Sequence, residues 1–339
     1  MATISDIAKM CHCSTTTVSK VLNNRGNISK EKRDEILLVA KQMKYVQNNS
    51  AKALASANKS SHLIGIILHI SEDKSITHEL FSTILNYFRK EIEKNDYDIC
   101  FIRQIDEDSP YEYKDFIDSK GMDGVFVLSA NAGLIKIRNL INSNIPCVGF
   151  DLPNAKYNVS SNNKEAVAQM VDYLSSLGHR RIAYVFPKDV GVSFERKEGF
   201  LSGLKRNNIP FDERMLINAP FFSHDSAKIA TDKALSNGFN PTVIMYPDDY
   251  TAISAITYLK SLGMKVPSNI SITGFDGVEI SKLVRPSIAT LCQDSQNIGL
   301  EAAKLLLRQI NKEEIENPQV IVKVTLFEGS SVNKVLEDK

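Results

Sequence analysis

Two sets of residues in this chain have types and spacing suited to chemistry. The first is the run Ser14-Thr15-Thr16-Thr17-Val18-Ser19-Lys20-Val21-Leu22-Asn23. Val18, Val21 and Leu22 recur at helical spacing and turn one face towards a core, leaving hydroxyls, an ammonium and an amide on the other. Three threonines in a row disfavour a helix, because β-branching and hydroxyl competition both act against it. Short donors and acceptors, however, match base edges and phosphate oxygens. The second set is Asp151, Arg196, Asp248-Asp249 and Asp276. The aspartates follow the apolar runs ending at Phe150, Tyr246 and Phe275, and Arg196 opens Arg196-x-x-Gly199-Phe200. Carboxylates accept pairs of hydroxyl hydrogen bonds and a guanidinium donates a planar fork, so this set suits a polyhydroxylated ligand. Each has a plainer reading too. The first stretch could be a capped amphipathic helix with a solvated face. An aspartate after a strand often caps the next helix, as Asp249 is expected to do for a helix through Leu262, and Arg196 could serve a surface ion pair.

Charge distribution favours the chemical reading of the first set. Residues 1–60 carry ten Lys/Arg against four Asp/Glu, a net of +6, while the rest of the chain carries 31 against 36, a net of −5. A basic head on an acidic body is what a nucleic-acid binder with a separate control domain displays. Residues 1–15 lack the apolar run of a secretory signal, and no stretch reaches the roughly 18 apolar residues of a membrane span. Five scattered cysteines, an odd number, point to a reduced, cytoplasmic chain without a disulfide framework. Cys11-His12-Cys13 offers three donors without paired C-x-x-C spacing, so no metal is assigned. No cofactor is implied.

The elements that would hold the first set are three short helices. Thr3 can cap one running to about Cys11, Ser14 caps the run above, and Ser29 caps a third with Ile36, Val39, Ala40 and Met43 at helical spacing. This is a helix-turn-helix, whose second helix enters the major groove. Here the chain resembles the lactose/galactose repressor (LacI/GalR) family of bacterial transcription regulators. The resemblance rests on Thr3-Ile4-x-Asp6-Ile7-Ala8, Ser14-x-x-Thr17-Val18-Ser19-Lys20-Val21-Leu22-Asn23-Asn24, Ile28-Ser29, and Tyr45 followed by Asn48 and Ala53-Leu54-Ala55. It implies that Thr15, Thr16 and Lys20 read bases while Ser14, Thr17, Ser19, Asn23, Ser29 and Lys32 mostly hold phosphates. His12 departs from the family's usual Gly, and Gln47 from its usual Pro. The resemblance further implies a hinge helix from Asn48 to Ser56 that folds when two subunits meet on DNA, with Asn48, Leu54 and Ala55 as contacts. Leu54 would be the wedge in the minor groove. Nine residues are too few for a stable isolated helix.

From Leu63 onward, short β-rich runs alternate with helical ones. Leu63–Leu68, Tyr97–Ile102, Asp123–Leu128, Pro146–Phe150, Arg181–Phe186, Thr242–Tyr246 and Ile270–Phe275 read as strands, with helices around 78–94, 110–119 and 133–143 among the connections. Such alternation predicts parallel sheets with helices on both faces. The expected fold class is an all-α helix-turn-helix domain followed by an α/β periplasmic-binding-protein-like effector domain of two doubly wound parallel-sheet lobes, the lobes' topology coming from the resemblance. The expected boundaries are 1–47 for the head and 48–60 for the hinge and linker. The N-terminal lobe is expected at 61–158 and 289–319, and the C-terminal lobe at 159–288 and 320–339, the chain crossing near 159, 288 and 320.

Ligands of open α/β sheets bind beyond the carboxyl ends of strands, which places the second set in the interlobe cleft. By resemblance, Asp151, Arg196, Phe222, Asp248 and Asp276 fall where sugar-responsive family members hold their effector, with Gln293 and His69 as further candidates. Asp248 departs from the usual Asn. Catalysis is not indicated: Asp248-Asp249 are too close on one backbone to supply opposed acid and base, His78-Glu79 lacks a second histidine, and neither G-x-S-x-G nor a P-loop occurs. The resulting reading is a homodimeric repressor whose partners are double-stranded operator DNA and a small-molecule effector, a sugar, with no membrane association. The carboxyl-terminal tail from Gly329 has too few apolar residues for a coiled coil, which favours a dimer. The rivals are control by a phosphorylated carrier protein, control by a nucleobase, and a sugar-binding module or sugar-active enzyme, which would leave the basic head without a purpose.

Overall fold

The computed structural model describes residues 3–22, 26–43, 45, 60–69, 77–131, 133–187, 191–219 and 224–335. The chain divides into two compact units, Met1–Ser61 and His62–Lys339.

The first unit holds helices α1 (Ile4–Met10), α2 (Thr15–Leu22) and α3 (Lys30–Gln42). A reciprocal capping box starts α1: Thr3 Oγ1 accepts the Asp6 N–H at 3.2 Å and Asp6 Oδ2 accepts the Thr3 N–H at 2.9 Å. The turn after it is closed by His12 at φ 45°, a left-handed conformation that histidine adopts more readily than most side chains. Ser14 Oγ accepts the Thr17 N–H at 3.0 Å, and Ser29 Oγ the Lys32 N–H at 3.3 Å, so both remaining helices begin on serine caps. Their apolar faces meet in a small core of Ile7, Ala8, Cys11, Val18, Val21, Ile36 and Ala40.

The second unit runs β1 (Leu63–Leu68), α4 (Glu79–Glu93), β2 (Asp98–Phe101), α5 (Tyr113–Lys120), β3 (Gly124–Ser129), α6 (Ile135–Ile141), β4 (Cys147–Phe150) and β5 (Asn158–Ser161). It continues with α7 (Asn163–Ser176), β6 (Ile182–Phe186), α8 (Gly191–Arg206), β7 (Leu216–Asn218), α9 (His224–Ser236), β8 (Val243–Met245) and α10 (Asp249–Ser261). Then follow β9 (Ser271–Asp276), α11 (Glu279–Leu283), β10 (Ala289–Cys292), α12 (Ser295–Ile310), β11 (Gln319–Val322) and β12 (Thr325–Phe327). The strands form two six-stranded sheets, ordered β11-β5-β4-β3-β1-β2 and β12-β10-β9-β8-β6-β7.

Both sheets are covered on two faces, which is why their central strands are apolar without alternation. In the first, Ile64, Ile66, Phe126 and Leu128 face α4 and α12, while Ile67, Val125 and Val127 face α5 and α6. In the second, Ile182, Tyr184 and Phe186 face α7 and α8, and Ala183 and Val185 face α9 and α10. Gly299 lets α12 lie directly on α4, since a Cβ there would overlap the Ile84 carbonyl oxygen. Among the described residues, no helix is long and apolar enough to cross a membrane.

The sequence-derived boundaries need correction. The chain changes lobe after Ser161, Cys292 and Val322, a few residues beyond the expected points, because β5 and β11 complete the first sheet and β10 the second before the chain leaves. The short strands β5, β7, β10, β11 and β12 carry too few apolar residues to show as periodic runs. Nor are both sheets wholly parallel, for β12 runs antiparallel to β10. The geometry requires this. Strand β11 leaves its sheet at the carboxyl end, facing the other lobe, so the chain enters the second sheet from that same end and must run backwards through it.

Candidate functional site

On the head, α2 presents Ser14, Thr15, Thr16 and Lys20 to solvent, with Thr17 and Ser19 half-buried and Val18 and Val21 directed inward. Ser14 and Thr17 hydroxyls are 2.9 Å apart, so the cap and the first turn are ordered together. The stem of Lys20 packs near Gly26, whose φ of 79° turns the chain after α2. Ser29 lies exposed at the start of α3. Lys32 departs from its expected place: its Nζ donates to the Cys11 carbonyl at 2.6 Å and to Glu35 at 2.8 Å. It closes the end of α1, which an unpaired carbonyl demands. Asn23, Asn48, Leu54 and Ala55 lie outside the described residues, as does the hinge stretch, and so does Phe222 in the body.

In the body, residues on and beside the segments that cross between lobes form one continuous, mostly buried network. Asp151, at the end of β4 with φ 44°, accepts the Ser161 N–H and the Asn163 side-chain amide, each at 3.0 Å. Asn163 in turn accepts from Arg196 Nε at 2.9 Å. Arg196, 5% exposed, also donates to the Pro247 carbonyl at 3.2 Å and lies 3.5 Å above the Phe275 ring. On the other side, Ser161 Oγ donates to Gln293 Oε1 at 2.5 Å, and Gln293 Nε2 to Asp276 Oδ1 at 2.8 Å. Asp276 ends β9 at φ 103°, followed by Gly277 at φ 71°. Arg196, Asn163, Asp151, Ser161, Gln293 and Asp276 are thus linked in a chain that passes from one lobe to the other.

This network holds more carboxylate than its one guanidinium neutralises. Burial pushes Asp151 up to about 6, with Arg196 pulling the other way. Burial also raises Asp276 well above the carboxylate range despite Arg196, with Asp249 and Asp248 adding to the rise. Such a site favours a ligand that brings hydrogen-bond donors without negative charge.

Two expected members are placed differently. The cap of α10 is Asp248, not Asp249: its carboxylate accepts the Thr251 N–H at 2.8 Å and the Thr251 hydroxyl at 2.6 Å. Asp249, one residue on, is buried against the sheet, where it accepts from Thr290 Oγ1 at 2.5 Å and the Val278 N–H at 2.9 Å. Burial raises it to about 7. His69 turns onto α5, its Nδ1 3.1 Å from the Tyr113 hydroxyl with the rings stacked, and burial lowers its pKa. The bonds of His69 to Tyr113 and of Asp248 to Thr251 thus lead away from the chain traced above. Asn163 and Ser161, both links, are absent from the sequence-derived set. Their only sequence signal is a polar run directly after an unrecognised short strand.

A three-helix head of helix-turn-helix form, joined in one chain to a two-lobed α/β body with a buried polar network between lobes, defines a DNA-binding regulator with its own ligand domain. The comparisons agree. Residues 3–48 match the family described as bacterial regulatory proteins, lacI family, and residues 171–332 match the periplasmic binding protein-like domain. The "Probable HTH-type transcriptional repressor ExuR" of Bacillus subtilis (strain 168) is 29% identical over 343 residues, spanning 99% of each chain. The HTH-type transcriptional regulator MalR of Clostridium butyricum is also 29% identical, over 97% of this chain and 98% of its own. The crystal structure of the lac repressor dimer bound to operator and the anti-inducer ONPF superposes with a TM-score of 0.84 at 20% identity, covering 98% of this chain and 99% of that one. This chain thus carries a lacI-family DNA-binding domain followed by a periplasmic binding protein-like domain.

Proposed function

We propose that this protein is a homodimeric, cytoplasmic repressor that binds a palindromic operator through α2 and is controlled by a small sugar held between the two lobes of its body. Thr15, Thr16 and Lys20 read base edges, and Ser14, Thr17, Ser19, Asn23 and Ser29 hold phosphates. Asn48, Leu54 and Ala55 extend the contact through the segment between head and body. The observation that carries the effector reading is the buried chain from Arg196 to Asp276. It spans both lobes, so a ligand that replaces its hydrogen bonds changes how the lobes meet. Asp151, Arg196, Asp276 and Gln293 are its principal contacts. Phe222 is retained as a candidate ring contact, while Asp248 shapes the site as a cap. By linkage, operator DNA alters sugar affinity by the same factor as the sugar alters operator affinity.

Among relatives, the transcriptional regulator CelR was solved as a cellobiose complex, another regulator with bound ribose, and several relatives carry the name PurR. Carboxylates with one guanidinium favour the sugar class for this chain over a flat base, which would call for stacking and amide contacts. A thermal-shift screen against monosaccharides, disaccharides, nucleobases and sugar phosphates tests the reading. A true effector at a hundredfold excess over its Kd stabilises by about 2.7 kcal/mol. A shift with a sugar that disappears in Arg196→Ala supports it; a shift with nucleobases alone moves the assignment to the base class.

A further inference from the structure

The network leaves one acceptor unmet. Among the described residues, Asp276 Oδ1 accepts from Gln293 while Oδ2 has no hydrogen-bond partner, although the side chain is only 4% exposed. Leaving a buried carboxylate oxygen without a donor is costly, so such an atom marks a place where a donor is expected. The group facing it comes from the other lobe. His78 Nε2 lies 3.9 Å from Asp276 Oδ2, beyond direct hydrogen-bond length.

His78 is held firmly. It immediately precedes α4, its ring packs on Phe81 with centroids 5.3 Å apart, and the edge of Tyr250 meets it at 4.9 Å. The next residue, Glu79, accepts the Glu279 N–H at 2.7 Å, which ties the start of α4 to the start of α11. This corner of the first lobe therefore sits directly on the turn that carries Asp276. Burial lowers the His78 pKa to about 4, so its ring is neutral near pH 7 and can donate from one nitrogen.

We propose that His78 and Asp276 form, one from each lobe, a subsite for a single effector hydroxyl, which donates to Asp276 Oδ2 and accepts from the His78 Nε2–H. The assignment rests on the cleft being the sugar site and deepens it by naming the group received there. A hydroxyl carries donor and acceptor on one atom, as the pair requires. An ammonium at this point would face the histidine N–H and find no acceptor on that side. Two bonds of about 2.8 Å at a tetrahedral angle need roughly 4.6 Å between the flanking atoms. Seating the hydroxyl thus parts the lobes at this corner by less than about 1 Å, so occupancy and lobe geometry are coupled directly.

The test is calorimetry with D-glucose, D-galactose, D-ribose and cellobiose, then with the mono-deoxy analogues of whichever binds, on wild type, His78→Ala, His78→Gln and Arg196→Ala. Melting curves of the unliganded proteins check folding, and His78→Gln keeps a donor should the alanine variant fail to fold. One deoxy analogue is expected to bind wild type about 10–100-fold more weakly than its parent. That penalty should shrink in His78→Ala, where only the bond to Asp276 remains, and shrink less in His78→Gln. Undiminished sugar affinity in both His78 variants, with binding lost in Arg196→Ala, overturns the subsite and leaves the sugar site standing. A wild-type protein that binds none of the sugars overturns the cleft reading and the subsite with it.

Discussion

The head and the interlobe network solve opposite problems with similar side chains. On the head, Thr15, Thr16 and Lys20 are exposed to water around a core that buries seven of the described residues. Between the lobes, Arg196, Asp276 and Asn163 are buried before any ligand arrives, Arg196 bonded to Asn163 and Asp276 to Gln293. Exposed groups hold little stability and can be exchanged at modest cost, whereas buried ones support fold and ligand at once. Changes in the head should therefore separate stability from recognition cleanly, and changes in the network should not.

The largest effect should come from the small core. Ile7→Ala is expected to cost about 2–5 kcal/mol, enough to unfold the head and abolish operator binding, while Leu174→Ala at similar cost leaves the larger body folded. Operator binding to a site selected from random DNA, followed alongside melting curves, measures both; intact binding by Ile7→Ala would refute the contrast. Arg196→Ala should weaken the sugar by about 2–5 kcal/mol while sparing operator affinity, because it leaves partner groups buried and unpaired. A normal sugar response removes Arg196 from the site.

The two regions should also differ in the sign of their response to pH. Asp249 and Asp151 are raised in the folded body to about 7 and about 6, so the native state holds their protons more tightly than the unfolded chain. Their contribution is present below about pH 4 and lost as pH rises through 6 and 7, a fall of about 1–4 kcal/mol for Asp249. In the head, hydrogen bonds from Thr3 lower Asp6 below its ordinary 3.8, so its contribution is present above that pH and lost on acidification. Melting curves from pH 4 to 8 on wild type and Asp249→Asn check this; an unchanged slope in the variant would show that Asp249 is not the group responsible. Lys20→Ala should cost about 1–3 kcal/mol in operator affinity and relax base preference at one position, seen by binding to single-base operator variants. The smallest effect is expected for Lys32→Ala. With its ammonium on the Cys11 carbonyl, it should lower the head's melting temperature slightly and leave base preference unaltered, and a changed preference would return Lys32 to the interface.

Much of the molecule was legible before any coordinates. Caps at Thr3, Ser14 and Ser29 and apolar residues at helical spacing define the head, because those signals are local and depend on neighbours within one turn. The long apolar strands announce two covered sheets for the same reason. Tertiary structure decided what depends on residues far apart in the chain. Asp248 and Asp249 are adjacent and chemically alike, and only the position of β10 with Thr290 makes one a cap and the other a buried sheet contact. Lys32 looks like any surface cation until the end of α1 comes within its reach. Asn163 and Ser161 gain their places in the network from chain crossings that bring strand ends together across two lobes, and a crossing leaves no periodic mark in the sequence. Propensity and pattern are sums over neighbours, whereas desolvation and hydrogen-bond satisfaction depend on which distant groups share the same small volume.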